Sequence, residues 1–170
     1  MTILCDRDLM ALMRDGLIED PDYALINPAS IDIRVGHNVI LEDDSDKLAN
    51  SGMNRKQTLP SDGMYVWPGQ LVLVDTFETF NVPNGYAMDL RLKSSTARRG
   101  WNHSLAFWAD PGFRGKLTME INNSLKRGPL MLVPGQRFAQ IIVHKLSGLS
   151  ASPYAGRYQD ATTVEAAKDG

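Results

Sequence analysis

Apolar residues recur at every second position through much of the chain. Ile31, Ile33 and Val35 alternate with Asp32 and Arg34, the period that turns one face of a half-buried strand toward a core. Further alternating runs fall at 63–67, 70–75, 77–82, 86–92, 103–109, 116–121, 130–133 and 138–146. Pro68-Gly69, Pro83-Asn84-Gly85, Pro111-Gly112, Gly128-Pro129 and Pro134-Gly135 punctuate them. Many short strands separated by such turn signals predict an all-β (mainly β) sandwich or barrel. Gly36 is expected to end the first strand.

Three stretches break the pattern. Near the N-terminus, Leu9, Met10, Leu12 and Met13 are expected on one side of a short helix, with Asp6 or Asp8 as its cap and Gly16 as its stop. Residues 42–62 are polar with few apolar anchors and read as a long solvated excursion. "KSSTARRG" (93–100) neither alternates nor carries an apolar stripe. It predicts one helical turn with Ser94 as N-cap, Ser95 and Thr96 in the first turn, and Gly100 as the stop. Its backbone N–H groups, hydroxyls and the cations Lys93, Arg98 and Arg99 suit a phosphate, although a solvated basic turn is the plainer reading.

The 170 residues suffice for one domain. Residues 1–150 are expected to form it. Residues 151–170, small, polar and glycine-containing, are expected to be a flexible tail. An apolar share of 43% and a net charge of −2 describe an ordinary globular chain with no general attraction to nucleic acid. The single cysteine, Cys5, cannot form an internal disulfide, which favours the cytoplasm. Charges interrupt the N-terminal apolar residues, so neither a signal peptide nor a membrane span is expected.

The strand beginning near Lys116 raises a chemical question. Leu117, Met119 and Ile121 take one face, which leaves Glu120 and Thr118 on the other. An isolated glutamate at such a position is usually exposed. One zinc-binding pattern holds a reactive water with a His-x-Glu and Cys-x-x-Cys set. One cysteine and three separated histidines, His37, His103 and His144, cannot supply it, and each histidine is expected to be structural or exposed.

Four segments in order, "NPASIDIRVG" (27–36), "KSSTARRG" (93–100), "ADPGFRGKLTMEI" (109–121) and "PGQRFAQIIVHKL" (134–146), together resemble the dCTP deaminase branch of the trimeric dUTPase-like family. The opening "LCDRDLMALMRDG" and "VWPGQLVLV" (66–74) are similar to it as well. The resemblance implies a dUTPase-like distorted β-barrel or jelly roll with a short N-terminal helix, assembled as a homotrimer with shared active sites. It implies a small-molecule nucleotide substrate, with neither nucleic acid nor membrane as partner. In the implied reaction, water replaces the C4 amine of dCTP to give dUTP and ammonia. Some members continue to dUMP and pyrophosphate.

The same resemblance assigns roles. Glu120 becomes the proton shuttle, with Ser94 and Arg98 positioning the water. Lys93, Ser95, Thr96 and Ala97 fall to the triphosphate, Asp110 to the sugar 3′-hydroxyl, and the backbone of Thr118 and Met119 to the base edge. Phe113 would pack near the deoxyribose, and Tyr154, Arg157, Tyr158 and Gln159 belong to a C-terminal lid. No protein-bound metal is implied; Mg²⁺ is expected to arrive on the triphosphate. Lys93 stands where relatives usually carry Arg, Gln159 comes earlier than the usual lid Gln, and Trp108 is aromatic as in bifunctional members. Asp32 suits either a diphosphatase water or structural support. Two other functions remain open: a dUTP diphosphatase without deamination, whose corresponding strand ordinarily lacks Glu120, and a non-catalytic nucleotide-binding trimer.

Overall fold

The computed structural model describes residues 2–42, 53–104, 106 and 108–168, apart from the side chain of Asn54. In chain order the elements are β1 (Thr2–Ile3), α1 (Asp6–Arg14), a 3₁₀ turn (Tyr23–Leu25), β2 (Ile26–Asn27), β3 (Ser30–Glu42), β4 (Met53–Thr58), β5 (Met64–Val66) and β6 (Leu71–Thr76). They continue as β7 (Phe80–Asn81), β8 (Tyr86–Leu92), α2 (Ser94–Arg98), β9 (Trp101–His103), β10 (Trp108–Ala109), β11 (Arg114–Gly115), β12 (Thr118–Asn123), β13 (Leu130–Leu132) and β14 (Arg137–Lys145). Each expected run contains a strand, although 77–82 keeps only Phe80–Asn81 and 103–109 only His103 and Trp108–Ala109 among the described residues, and the mainly β class holds. No helix among the described residues is long and apolar enough to cross a membrane.

Helix α1 departs from expectation in two details. Its N-cap is Cys5, without a side-chain cap bond, and Asp6 and Asp8 lie in the first turn, where their charge favours the positive end of the helix dipole. Leu9, Leu12 and Met13 are buried, whereas Met10 is exposed, because 100° per residue carries it past the edge of the i, i+3, i+4 stripe. Gly16, at φ +95°, stops the helix as expected. The N–H groups of Gly16 and Leu17 close on the carbonyls of Met13 and Leu12, a Schellman arrangement that needs a left-handed residue there.

The main sheet runs in the order β10-β8-β14-β3-β6-β12-β9, with β1 beside β14 and both β2 and β4 beside β3. It is curled into a half-barrel. Strand β3 bends it: its first half pairs with β14 and its second with β6 and β4. Gly36, expected to end that strand, instead lies inside it, at a register shift between Val35 and Val39. Asp75 fills the shift, accepting from the backbone N–H of Asn38 at 2.9 Å and from its Nδ2 at 2.8 Å. A buried carboxylate held by two donors needs room, and only a residue without Cβ leaves it.

The expected excursion at 42–62 is corrected in part. Residues 43–52 lie outside the described residues, but Met53–Thr58 forms β4, paired with β3 from Asn38 to Glu42. Residues 55–58 are all exposed, so no alternation marks this outer strand. Of the run at 103–109, Leu105 and Phe107 also lie outside the described residues.

The core is filled from β3, β6, β12 and β14 by Ile31, Ile33, Val35, Val72, Val74, Met119, Ile121, Phe138 and Ile141, each fully buried. Burying one such side chain contributes about 1.5–3 kcal/mol. The opposite face of β6 and β12 carries a smaller cluster, Ile40, Leu73 and Val164, with Met53 and Ala166 packed on it.

Candidate active site

Glu120 sits on that second face. The antiparallel ladder sets Ile40 of β3 opposite Leu73 of β6, and Leu73 opposite Glu120 of β12, so the three form one row across adjacent strands. The carboxyl is half-buried, and its Oε2 is buried without a hydrogen-bond partner among the described residues. Burial pushes it above the ordinary glutamate range, against a weaker lowering by its own backbone. Glu120 thus lies on the face of β12 away from Met119 and Ile121, as its alternation predicts, and that face forms a cavity wall.

The wall belongs to a cavity of about 600 Å³, lined by Leu73, Trp108, Ala109, Asp110, Phe113, Lys116, Thr118, Glu120, Tyr154, Tyr158 and Glu165, among others. At one side, Trp108 Nε1 donates to Asp110 Oδ1 at 3.0 Å. Lys116 donates from Nζ to the carbonyls of Thr76 and Phe77, both at 2.7 Å, and burial lowers its pKa despite the attraction of Asp75, Glu78 and Glu19. The ammonium ties the start of β12 to the β6–β7 corner.

Residues 151–168 lie across the same cavity. Tyr154 packs on Phe113, ring centroids 5.8 Å apart, and its hydroxyl accepts from the N–H of Tyr158 at 3.2 Å. Gln159 donates from Nε2 to the carbonyl of Gly112 at 3.0 Å, and its Oε1 accepts from the N–H of Arg114 at 3.1 Å. Ala161 bridges to Gly115 and accepts from the N–H of Lys116 at 2.7 Å. A Cβ on Gly115, at φ +130°, would lie 2.7 Å from the Ala161 nitrogen, so glycine permits this approach. Arg157 reaches the carbonyl of Lys168, and the N–H of Glu165 donates to Thr118 Oγ1 at 3.0 Å.

Other residues singled out in the sequence lie elsewhere in the chain. Helix α2 has Lys93, not Ser94, as its N-cap, because Ser94 already has helical geometry. Ser94, Ser95, Ala97 and Arg98 are exposed, Thr96 is buried, and none of them lines the cavity. Lys93 pairs instead with the buried carboxyl of Asp32. That carboxyl also accepts from Asn27 Nδ2 at 2.9 Å and has Arg137 at 3.7 Å. Asn27 and Arg137 were missed although both stand in quoted motifs; only their convergence on Asp32 marks them. His144 is buried against Trp108, centroids 5.8 Å apart; His103 bonds the carbonyl of Ser104 at 2.7 Å; His37 is exposed.

The half-barrel fold has a solved counterpart, the 2′-deoxycytidine 5′-triphosphate deaminase from Agrobacterium tumefaciens. The two match with a TM-score of 0.67 at 24% identity, over 83% of this chain and 48% of that one, so this chain spans about half its length. The mainly β, dUTPase-like fold expected from the sequence is the one the chain has. A profile described as dCTP deaminase-like matches residues 3–146. A relative named "dCTP deaminase, dUMP-forming" from Thermobifida fusca is 34% identical over 92% of this chain and 87% of its own length. One named "dCTP deaminase" from Pyrococcus furiosus is 32% identical over 92% of this chain and 93% of its own. The chain belongs to the dCTP deaminase-like family.

Proposed function

We propose that the protein hydrolyses the C4 amine of dCTP and then the resulting triphosphate, giving ammonia, pyrophosphate and dUMP. The observation that carries the first step is the desolvated carboxyl of Glu120, its Oε2 without a hydrogen-bond partner among the described residues, on the wall of a nucleotide-sized cavity. A carboxyl raised by burial can take a proton from water and return it at lower cost than one in bulk solvent. Glu120 takes a proton as water oxygen bonds to C4 and delivers it to N3. It then moves the proton of the new C4 hydroxyl to the amine as the C4–N4 bond breaks, leaving a C4 carbonyl and ammonia. In the second step another water bonds to the α-phosphorus as the bond to the departing pyrophosphate breaks. The names of the T. fusca relative and of several others support the second step.

The exposure of Ser94 and Arg98, and a Glu120 Oε2 without a partner among the described residues, support a homotrimer in which the 93–98 turn of a neighbouring copy completes each site. Mg²⁺ enters on the phosphate oxygens with its waters. Among the described residues no three His, Cys, Asp or Glu side chains converge as a metal cage, and no step assigned to these residues runs through the ion. Purified protein incubated with dCTP and Mg²⁺, with products resolved by chromatography, tests the proposal. Accumulation of dUMP is expected. Persistence of dCTP rejects deamination, and turnover of added dUTP alone identifies a diphosphatase.

A further inference from the structure

We infer that Val164, seated with Ala166 on the sheet face beside Glu120, is a positioning residue that closes this face against water and thereby holds the Glu120 carboxyl in its working state. The inference rests on the reading of Glu120 as proton shuttle and extends it to a segment to which the resemblance gives no such role.

Several observations converge. Val164 is fully buried although it belongs to a polar tail, and it clusters with Ile40 and Leu73. Those two residues continue the cross-strand row that ends at Glu120. Ala166, packed on the same cluster, also lines the cavity. The N–H of Glu165, between them, is fixed by Thr118 Oγ1 at 3.0 Å, two residues before Glu120 on the same face. Residues 164–166 therefore roof the second face of β6 and β12, much as the core covers the first. Without them Leu73 and one side of the Glu120 carboxyl would meet solvent, and a solvated carboxyl loses the desolvation that sets its protonation.

Other charged and titratable groups also face the site. Asp110, Lys116, Tyr154, Tyr158 and Glu165 line the cavity, and Lys56 and Asp75 share the face through the ladder. Glu165 is paired with Lys168 at 3.1 Å, Asp75 is held by Asn38, and Lys116 by carbonyls. Burial is the main influence on the Glu120 carboxyl.

The test is a carboxyl ¹³C NMR titration of the full chain labelled at glutamate, with Glu120→Gln identifying the resonance, alongside the pH profile of dCTP turnover. In Val164→Ser the Glu120 midpoint and the acid limb of kcat/KM are expected to move down together, with kcat falling more than KM rises. Val164→Ile should restore both. Thr118→Val, which removes only the acceptor for the Glu165 N–H, should shift them the same way and serves if the serine variant fails to fold. An unchanged Glu120 midpoint in a folded Val164→Ser or Thr118→Val protein overturns the inference. Turnover retained in Glu120→Gln overturns the functional reading instead, while the NMR midpoints still decide what the tail does.

Discussion

The indole Nε1–H of Trp108 donates to Asp110 Oδ1 at 3.0 Å, so one oxygen of the carboxylate proposed to bind the sugar 3′-hydroxyl is already engaged. The bond orients Asp110, which is exposed and would otherwise rotate freely at the turn made by Pro111 and Gly112. Trp108→Phe keeps the ring and removes the donor. Losing one orienting bond at an exposed site costs about 1 kcal/mol, roughly five-fold in kcat/KM. Steady-state kinetics with dCTP should show the loss mainly in KM.

Glu120→Gln separates catalysis from stability. A general acid–base group contributes about 10²–10⁴-fold, so turnover should fall by that order while dCTP binding persists in calorimetry. Stability should move the other way. The folded-state pKa of Glu120 is raised, so the folded chain holds this proton more tightly than the unfolded chain. The group's contribution is then most favourable below its unfolded pKa and is lost as pH rises through the folded one. At neutral pH the ionised glutamate is a burden that glutamine lacks. Thermal melts should show Glu120→Gln above wild type at pH 7.5, with the gap closing as pH falls below the ordinary glutamate range.

At Gly36 a Cβ would lie 2.1 Å from Asp75 Oδ1 and 2.7 Å from the Asp75 carbonyl oxygen. Gly36→Ala should therefore push Asp75 off Asn38 or reopen the bend of β3. An overpacked buried site of this kind costs about 3 kcal/mol, equivalent to roughly 6–12 °C in melting temperature for a chain of this size. Differential scanning calorimetry measures it directly, and a shift below the resolution of the method would show that the strand yields without strain.

Gly36 also illustrates what could be read in advance. Glycine after an alternating run ordinarily ends a strand, and nothing local indicates that Asp75, far along the chain, will occupy the missing Cβ. Strand β4 was hidden for a related reason: Arg55, Lys56, Gln57 and Thr58 are all exposed, so the pattern that reveals strands by their buried face had no buried face to report. The face of β12 bearing Glu120 was legible because Met119 and Ile121 are fully buried. That the other face is roofed depends on Val164 crossing to Ile40 and Leu73, a contact without local periodicity. The Lys93–Asp32 pair was equally unreadable, since the register of β14 between β3 and β8 brings its two ends together.

If each site joins Glu120 of one subunit to Ser94 and Arg98 of the next, two inactive variants should complement one another. Glu120→Gln retains an intact 93–98 turn, and Arg98→Ala retains an intact carboxyl. Unfolded together in equal amounts and refolded, they should form mixed trimers. A working site then needs an Arg98→Ala subunit for its Glu120 and a Glu120→Gln neighbour for its Arg98, which random assembly supplies in about a quarter of sites in a closed ring. Specific activity should recover toward that fraction of wild type, while each variant refolded alone stays inactive. Sedimentation equilibrium on the same samples should return three times the 18.8 kDa chain mass. Trimers without recovered activity would mean that the 93–98 turn serves something other than the carboxyl of a neighbouring copy.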